Sequence, residues 1–362
     1  MQAVLLTGHG GLDKLELRAD VPIPVPGANE VLIEVSACGM NNTDIWVREG
    51  AYGTDDDASA VASWRRGGLE NTLTFPRIQG ADTVGRIVDV GAAVPRSRIG
   101  ERVMVDFSIY NGDGESLGEI DYIGHGRDGG YAEFMVVPAE NAYQTTAAIT
   151  DAELATFCCA YLTGEHMLDR AAVRAGERVL ITGASGGVGS GLVQLCRARG
   201  AIPYAIVGRG KEQAVREIGA EAVITREAGA LSEQVHIATR GRPIDVVADL
   251  VAGAMFGELI NILRPEGRYT TAGAIGGPVV TLDLRTVYLK HLQLHGSSQG
   301  TRSAFRRLHR HIEEGRVKPL LWQTFPLSRI REAQTAFMAK HFVGKLVMQP
   351  DRLWTPLEGR HP

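Results

Sequence analysis

The stretch Val179-Leu180-Ile181-Thr182-Gly183-Ala184-Ser185-Gly186-Gly187-Val188-Gly189 decides the fold. Its first four residues read as a short buried strand. The glycines after them make a turn that opens a helix over Gly189–Arg199. Glycines let a backbone approach an anion closely. The free amides at a helix start donate to that anion, and the helix dipole favours its charge. A strand, a glycine-rich turn and a helix in this order form the context of a dinucleotide-binding fingerprint, with Ala184 at the first place of the usual G-x-G-x-x-G. Ser185, Gly186, Gly187 and Val188 are therefore candidate cofactor-binding residues. The competing reading, a tight turn with no ligand, depends on what surrounds the motif.

Outward from the turn, strands and helices alternate. Helical periodicity covers Asp151–Ala172, with Thr150 as N-cap. Further strands are expected at Pro203–Val207, Ala222–Ile224, Val246–Asp249, Gly267–Ala272 and Leu292–His295. Helices are expected at Lys211–Ile218, Ser232–Thr239, Met255–Leu263 and Ser303–Glu314. This alternation predicts the α/β class, with a Rossmann-type doubly wound parallel sheet, and it argues against a ligand-free turn. The second strand ends Ile206-Val207-Gly208-Arg209-Gly210-Lys211. NAD-selective sites place an acid here to hold the ribose hydroxyls. This chain offers none; Gly208, Arg209 and Lys211 instead present positive charge and donors to a 2′-phosphate. The prediction is NADPH (NADP) over NADH. The other reading is that both cations are exposed residues of the next helical turn.

Residues 1–143 read as mostly β, in short runs such as Val31–Val35, Gly85–Val90, Arg102–Val105 and Tyr131–Val137 between glycines and prolines. The polar stretch Gly53 to Phe75, with Trp64, Arg65 and Arg66, reads as a long loop. Lys318 to Pro350 returns to short strands around one helix and is expected to rejoin the first domain. The expected division is a mostly-β domain of residues 1–149 and 317–362, and a cofactor-binding domain of residues 150–316.

The chain has 362 residues, a formal net charge of −4, 44% hydrophobic and 22% charged residues, enough for two ordinary cores. No basic run marks a nucleic-acid footprint; the richest, Arg302 to Arg310, is interleaved with apolar residues and reads as an amphipathic helix with a solvated face. No segment approaches the roughly 20 apolar residues of a membrane span. Met1 to Gly8 reads as a strand rather than a signal peptide, so a cytoplasmic location is expected. The four cysteines, Cys38, Cys158, Cys159 and Cys196, lack metal-site or disulfide spacing and fit reduced thiols.

With these residues in hand, the chain resembles the medium-chain dehydrogenase/reductase superfamily. The resemblance rests on Ala37-Cys38-Gly39-Met40-Asn41-Asn42-Thr43-Asp44, Gly80-Ala81-Asp82-Thr83-Val84-Gly85, Gly129-Gly130-Tyr131-Ala132-Glu133, Ala184 to Gly189 and Gly344-Lys345-Leu346-Val347. It implies a GroES-like domain, a Rossmann domain and an active site in the cleft between them. It also implies cofactor contacts from Thr163, Val251, Ala274 and Ile275 near the nicotinamide, with Ser297, Ser298 and Lys345 closing over it. Subunits of the superfamily pair through Rossmann domains, so a homodimer joined at Leu292–Leu294 is implied.

Zinc-dependent members resemble C-x-T-D, G-H-E-x-x-G and a Cys four residues before a Thr at their three ligand positions. Here the first position is Asn41, the second is Ala81 with Asp82 beside it, and only Cys159, four before Thr163, keeps its type. One cysteine with a neutral amide is a poor zinc site, so no metal is expected. Asn41, and Tyr52 eight residues after Asp44, look like the zinc-free quinone oxidoreductase branch. The implied function is NADPH-dependent reduction of a quinone, enone or related carbonyl, with Asn41 and Tyr52 donating to the developing oxyanion and Cys38, Cys158 and Cys159 as buried apolar residues. Thr43 stands where alcohol dehydrogenases keep a hydroxyl that relays the alcohol proton; it reads equally as a turn hydroxyl. Two alternatives stay open: a zinc-type alcohol dehydrogenase, and an NADPH-binding sensor or scaffold without turnover. The Gly53–Phe75 stretch reads either as a flap over the substrate cleft or as a mobile surface insertion.

Overall fold

The computed structural model describes residues 1–52, 73–110, 112–116, 121–226 and 229–355. In the first part of the chain, β-branched runs between turns become strands. Ala3–Leu6 (β1) pairs antiparallel with Leu15–Arg18 (β2). Glu30–Gly39 (β3) is the spine of a larger sheet, and Arg77–Ile78 (β4) closes the small sheet on β1. Asp82–Val90 (β5), Arg102–Val105 (β6), Phe134–Pro138 (β9) and Ala142–Gln144 (β10) join the spine's sheet, and Ser108–Ile109 (β7) pairs with Asp121–Tyr122 (β8). Two strands arrive from far along the chain, Leu321–Pro326 (β17) and Lys345–Gln349 (β18). The sheet order is β10-β6-β5-β3-β18-β17, with β9 also on β3. The return of Lys318–Pro350 to the first sheet is thus seen directly.

One element of this part is a helix, Asn42–Glu49 (α1), within residues that the sequence suggested to be mostly β. Its residues include the β-branched Thr43, Ile45 and Val47. The start is fixed by a capping-box pair: the Asn41 N–H donates to Asp44 Oδ2 at 2.7 Å.

The second sheet is built from Arg178–Ile181 (β11), Ile202–Val207 (β12), Ala222–Thr225 (β13), Ile244–Asp249 (β14), Leu263–Thr271 (β15) and Gln293–Gly296 (β16). All its pairings are parallel, in the order β13-β12-β11-β14-β15-β16. The central strands are buried on both faces, as crossover helices require. The last strand begins one residue later than expected from Leu292–His295, and a helix not foreseen, Leu284–Leu289, precedes it. Among the described residues no helix is long and apolar enough to cross a membrane.

The expected helix Asp151–Ala172 is instead two, Asp151–Leu154 (α2) and Cys158–Arg170 (α3). Thr150 caps α2, accepting the Glu153 N–H. At the break the Ala155 carbonyl lies only 2.2 Å from where a Cβ on Gly39 would stand, so β3 passes it this closely only through a glycine. From the break, α3 runs between the two sheets. Phe157, Tyr161 and Leu162 join Val35, Ile87, Val179 and Val246 in one continuous apolar core. The basic helix Arg302–Glu313 buries Ala304, Phe305, Leu308 and Ile312 as expected. Its cations are not all solvated, however: Arg302 is buried, stacked over the Tyr110 ring with its guanidinium carbon 4.7 Å from the centroid.

Candidate active site

The broken helix sets the site. The Cys159 N–H, in the first turn of α3, donates to Asp82 Oδ1 at 2.6 Å. The carboxylate thus caps a helix N-terminus from the start of β5, where the dipole favours its charge. Its other oxygen takes the Lys345 ammonium at 2.7 Å. The same ammonium donates to Asn41 Oδ1 at 2.5 Å. Asp82 is wholly buried and Lys345 is 2% exposed. Three elements from three parts of the chain therefore converge: the start of α1, the start of β5 and the start of β18. The Asn41 amide nitrogen is buried with no partner among the described residues.

Around this pair lies a second layer. Asp44 Oδ2 accepts from both the Asn41 N–H and, at 2.8 Å, the Tyr131 hydroxyl. Burial pushes the Asp44 carboxyl up to about 6, against the pull of these donors and of Lys345. Thr43 Oγ1 lies 3.0 Å from the Tyr122 hydroxyl and is also hydrogen-bonded to Tyr52. Three hydroxyls, Tyr52, Thr43 and Tyr122, thus form a run beside Asn41. Thr43 is engaged across the fold rather than with its own turn. Burial pushes the Tyr52 phenol up to about 12, so it is a neutral donor at any ordinary pH. The Tyr52 ring also meets Trp46 edge-on, with centroids 5.6 Å apart. Burial raises the Cys159 thiol. Cys38 and Cys158 are fully buried, as small apolar residues are.

The glycine-rich turn follows β11 and opens the helix Gly187–Ala198 (α4), two residues earlier than Gly189. Gly189 packs so tightly that a Cβ there would stand 2.3 Å from the Gly183 carbonyl. A Cβ on Gly187 would stand 2.8 Å from the Lys345 Cδ. The Lys345 stem therefore crosses the turn on its way to Asn41 and Asp82, and the Gly344 N–H donates to the Ser185 carbonyl at 3.1 Å. The remaining candidates line the carboxyl ends of the parallel strands, where ligands of such sheets bind. Gly208, exposed Arg209 and partly buried Lys211 follow β12. Val251 follows β14 and stands 3.5 Å from where a Gly183 Cβ would be. The loop after β15 carries Ala274 and Ile275, and the Gly276 N–H donates to the Val251 carbonyl at 2.7 Å. Ser297 and exposed Ser298 follow β16; the Ser297 hydroxyl is buried without a partner among the described residues. Of the stretch Gly53–Phe75, residues 53–72, with Trp64, Arg65 and Arg66, lie outside the described residues.

Sequence reading missed Tyr122, Tyr131 and Asp82 as site residues, and it assigned Lys345 to the cofactor without its ion pair. It also missed Lys340, whose ammonium donates to Asn42 Oδ1 at 2.8 Å. Two of these had a local signal: Asp82, an acid next to Ala81 in the Gly80–Gly85 motif, and Tyr131, in the Gly129–Glu133 motif.

The chain is similar to known proteins along most of its length. Residues 27–147 match the alcohol dehydrogenase GroES-like domain, and residues 187–314 match the zinc-binding dehydrogenase family. A Sinorhizobium meliloti 1021 protein of known crystal structure, provisionally named an alcohol dehydrogenase, is 69% identical, with 97% of each chain covered and a TM-score of 0.93. Quinone oxidoreductase of Mus musculus is 28% identical, with 92% of each chain covered. A thermostable alcohol dehydrogenase from Pyrobaculum aerophilum, solved with cobalt and zinc, is 31% identical over 97% of this chain and 99% of its own, with a TM-score of 0.79.

Proposed function

Since the chain belongs to the medium-chain dehydrogenase/reductase family, we propose that it is an NADPH-dependent, metal-independent reductase of a quinone, an enone or a related carbonyl. The observation that carries this reading is the Lys345 ammonium, bonded to Asn41, at the first metal-ligand position of zinc-dependent members, and to Asp82, beside the second. A catalytic zinc needs three protein ligands. Here Asn41 is a neutral amide, Ala81 has no ligand atom, Asp82 is engaged by Lys345 and the Cys159 amide, and burial favours the protonated thiol at Cys159. Among the described residues no three His, Cys, Asp or Glu side chains group to hold a metal. The donor set does not fit zinc, and the mechanism uses none.

The glycine-rich turn fits the diphosphate of a nicotinamide dinucleotide. Ser185, Gly186, Gly187 and Val188 would hold it at the start of α4, with Thr163, Val251, Ala274, Ile275, Ser297 and Ser298 around the nicotinamide. Gly208, Arg209 and Lys211 would take the 2′-phosphate. When bound, the reduced nicotinamide supplies hydride. The chain's own task is to stabilise the negative charge that grows on the acceptor's oxygen. An ammonium has three donors and Lys345 uses two, leaving one. The unpartnered Asn41 amide nitrogen is a second donor beside it. Fixed donors in a buried site, needing no reorganisation, are the strongest form of such help. Tyr52 supplies the proton, and Thr43 and Tyr122 hold its hydroxyl in place. On the same footing we adopt the division into residues 1–149 with 317–362 and residues 150–316, a cytoplasmic location, and a homodimer joined at the β16 edge, where Leu294, Leu284, Tyr288 and Leu289 are exposed.

The test is elemental analysis of protein purified without added metal, together with turnover of NADPH on quinones and enones. Metal near zero with turnover supports the reading. One zinc per chain, with activity on alcohols, overturns it in favour of the alcohol dehydrogenase reading, for which Thr43 is the relay hydroxyl.

A further inference from the structure

A row of cations runs along the cleft between the two sheets. Arg226 lies 4.0 Å from where a Cβ on Gly208 would stand, at the end of β12, and acts electrostatically on Lys211. Lys211 donates to the Lys340 carbonyl at 2.5 Å. Lys340 ends the helix Ile330–Ala339, which belongs to the other sheet, and reaches past the Phe337 ring to Asn42. Its ammonium is 3.5 Å from that ring's centroid. Lys345 follows, at Asn41 and Asp82.

The two middle members stand out. Among the described residues neither Lys211 nor Lys340 pairs with a carboxylate, and the charged groups acting on Lys340 are the ammonium groups of Lys211 and Lys345. Burial and these two neighbours push Lys340 down to about 8. Partly buried like charges without a counterion are unfavourable, and an anion between them reverses the sign. The strap that carries Lys340 and Lys345 also lies on the glycine-rich turn, through the Gly344–Ser185 hydrogen bond and the Lys345 stem over Gly187. An anion cradled at the start of α4 therefore faces this strap.

We propose that Lys340 is a phosphate ligand supplied across the cleft, closing on the diphosphate of the bound dinucleotide, with Lys211 on its adenosine side. The proposal rests on the cofactor reading above and adds to it a residue from the opposite domain. It makes cofactor binding a fastening between the domains. Without the phosphates, the Lys211 and Lys340 ammonium groups repel across the cleft; with them, each is drawn to a phosphate of the same nucleotide.

The experiment is fluorescence titration of the full chain with NADPH and with NADH, at one fixed ionic strength. Variants are Lys340→Gln, Lys340→Arg and Lys211→Gln, with circular dichroism to confirm folding. A lost charge-assisted contact weakens binding by about tenfold or more. Lys340→Gln is expected to weaken NADPH and NADH by the same factor, and Lys340→Arg to recover most of the loss. Lys211→Gln is expected to weaken NADPH more than NADH. If Lys340→Gln does not fold, Lys340→Met, which keeps its stem over Phe337, gives the same readout. Dissociation constants within twofold of the unmodified protein for Lys340→Gln or Lys340→Met overturn the proposal and leave the reductase reading intact. A loss seen only in the KM of an anionic substrate also overturns it. An unmodified chain that binds neither nucleotide overturns both.

Discussion

Replacing Lys345 by Met separates two jobs that one side chain performs. Met keeps the stem that crosses Gly187 but removes the ammonium. Asp82, fully buried, then retains only the Cys159 N–H. Breaking a buried ion pair by deleting one partner costs about 3–5 kcal/mol, because the other charge is left uncompensated. At about 2–4 °C per kcal/mol for a unit of 150–250 residues, the melting temperature should fall by roughly 6–20 °C. Adding Asp82→Asn removes the stranded charge while leaving an oxygen for the Cys159 N–H. The double variant should therefore regain most of the lost stability. Turnover should behave differently. Losing one fixed donor to a developing oxyanion costs about 10²–10³ in kcat, and the second substitution does not replace it. The assay is a pair of measurements on each variant: thermal unfolding followed by circular dichroism, and NADPH oxidation with a quinone. A single variant that melts within about 2 °C of the unmodified protein refutes the ion-pair argument. A double variant that recovers turnover as well as stability refutes the role of the ammonium in the chemistry.

Two other outcomes are expected. Tyr52→Phe should lower kcat by about 10²-fold or more with little change in cofactor affinity, and the deficit should be flat between pH 6 and 9 because the phenol is pushed up to about 12; a deficit that varies with pH in that range contradicts the assignment. Burial pushes the Asp106 carboxyl from 3.8 up to about 7. A raised acid binds its proton more tightly in the folded chain, so stability is greatest below about pH 4 and falls as pH rises towards 7. Asp106→Asn, which can still accept the Ser108 N–H, should melt increasingly above the unmodified protein across that window, and a difference independent of pH would refute the point.

The parallel sheet was legible because its signals are local: an apolar run, a glycine turn and a helix, repeated. The turn at Gly183–Gly189 could be read for the same reason, since its chemistry is written in seven adjacent residues. What could not be read is contact between distant parts. Lys345 and Asn41 are 304 residues apart, and Lys345 and Asp82 are 263 apart. No periodicity links them. Helix α1 was missed although Asn41 and Asp44 carry a capping signal, because the β-branched residues that follow resemble a strand. The break between α2 and α3 was invisible for a different reason. It lies where the Ala155 carbonyl packs against Gly39, a tertiary contact that local helix propensity does not contain.

The placing of Lys345 on β18 also sets an order of events during synthesis. The ribosome makes Asn41 and Asp82 early, then the whole parallel sheet, and reaches Lys345 only 304 residues after Asn41. At about 5–20 residues per second this interval is roughly 15–60 s. Throughout it, Asp82 has no cation and β3 lacks the neighbour that β18 later provides. The parallel sheet is by then fully translated, whereas the sheet that holds Asn41 waits for β18. On the proposed mechanism, the site of Asn41 and Asp82 is thus completed only by the closing stages of synthesis, and a nascent chain stalled before Lys345 would lack the ammonium that joins them.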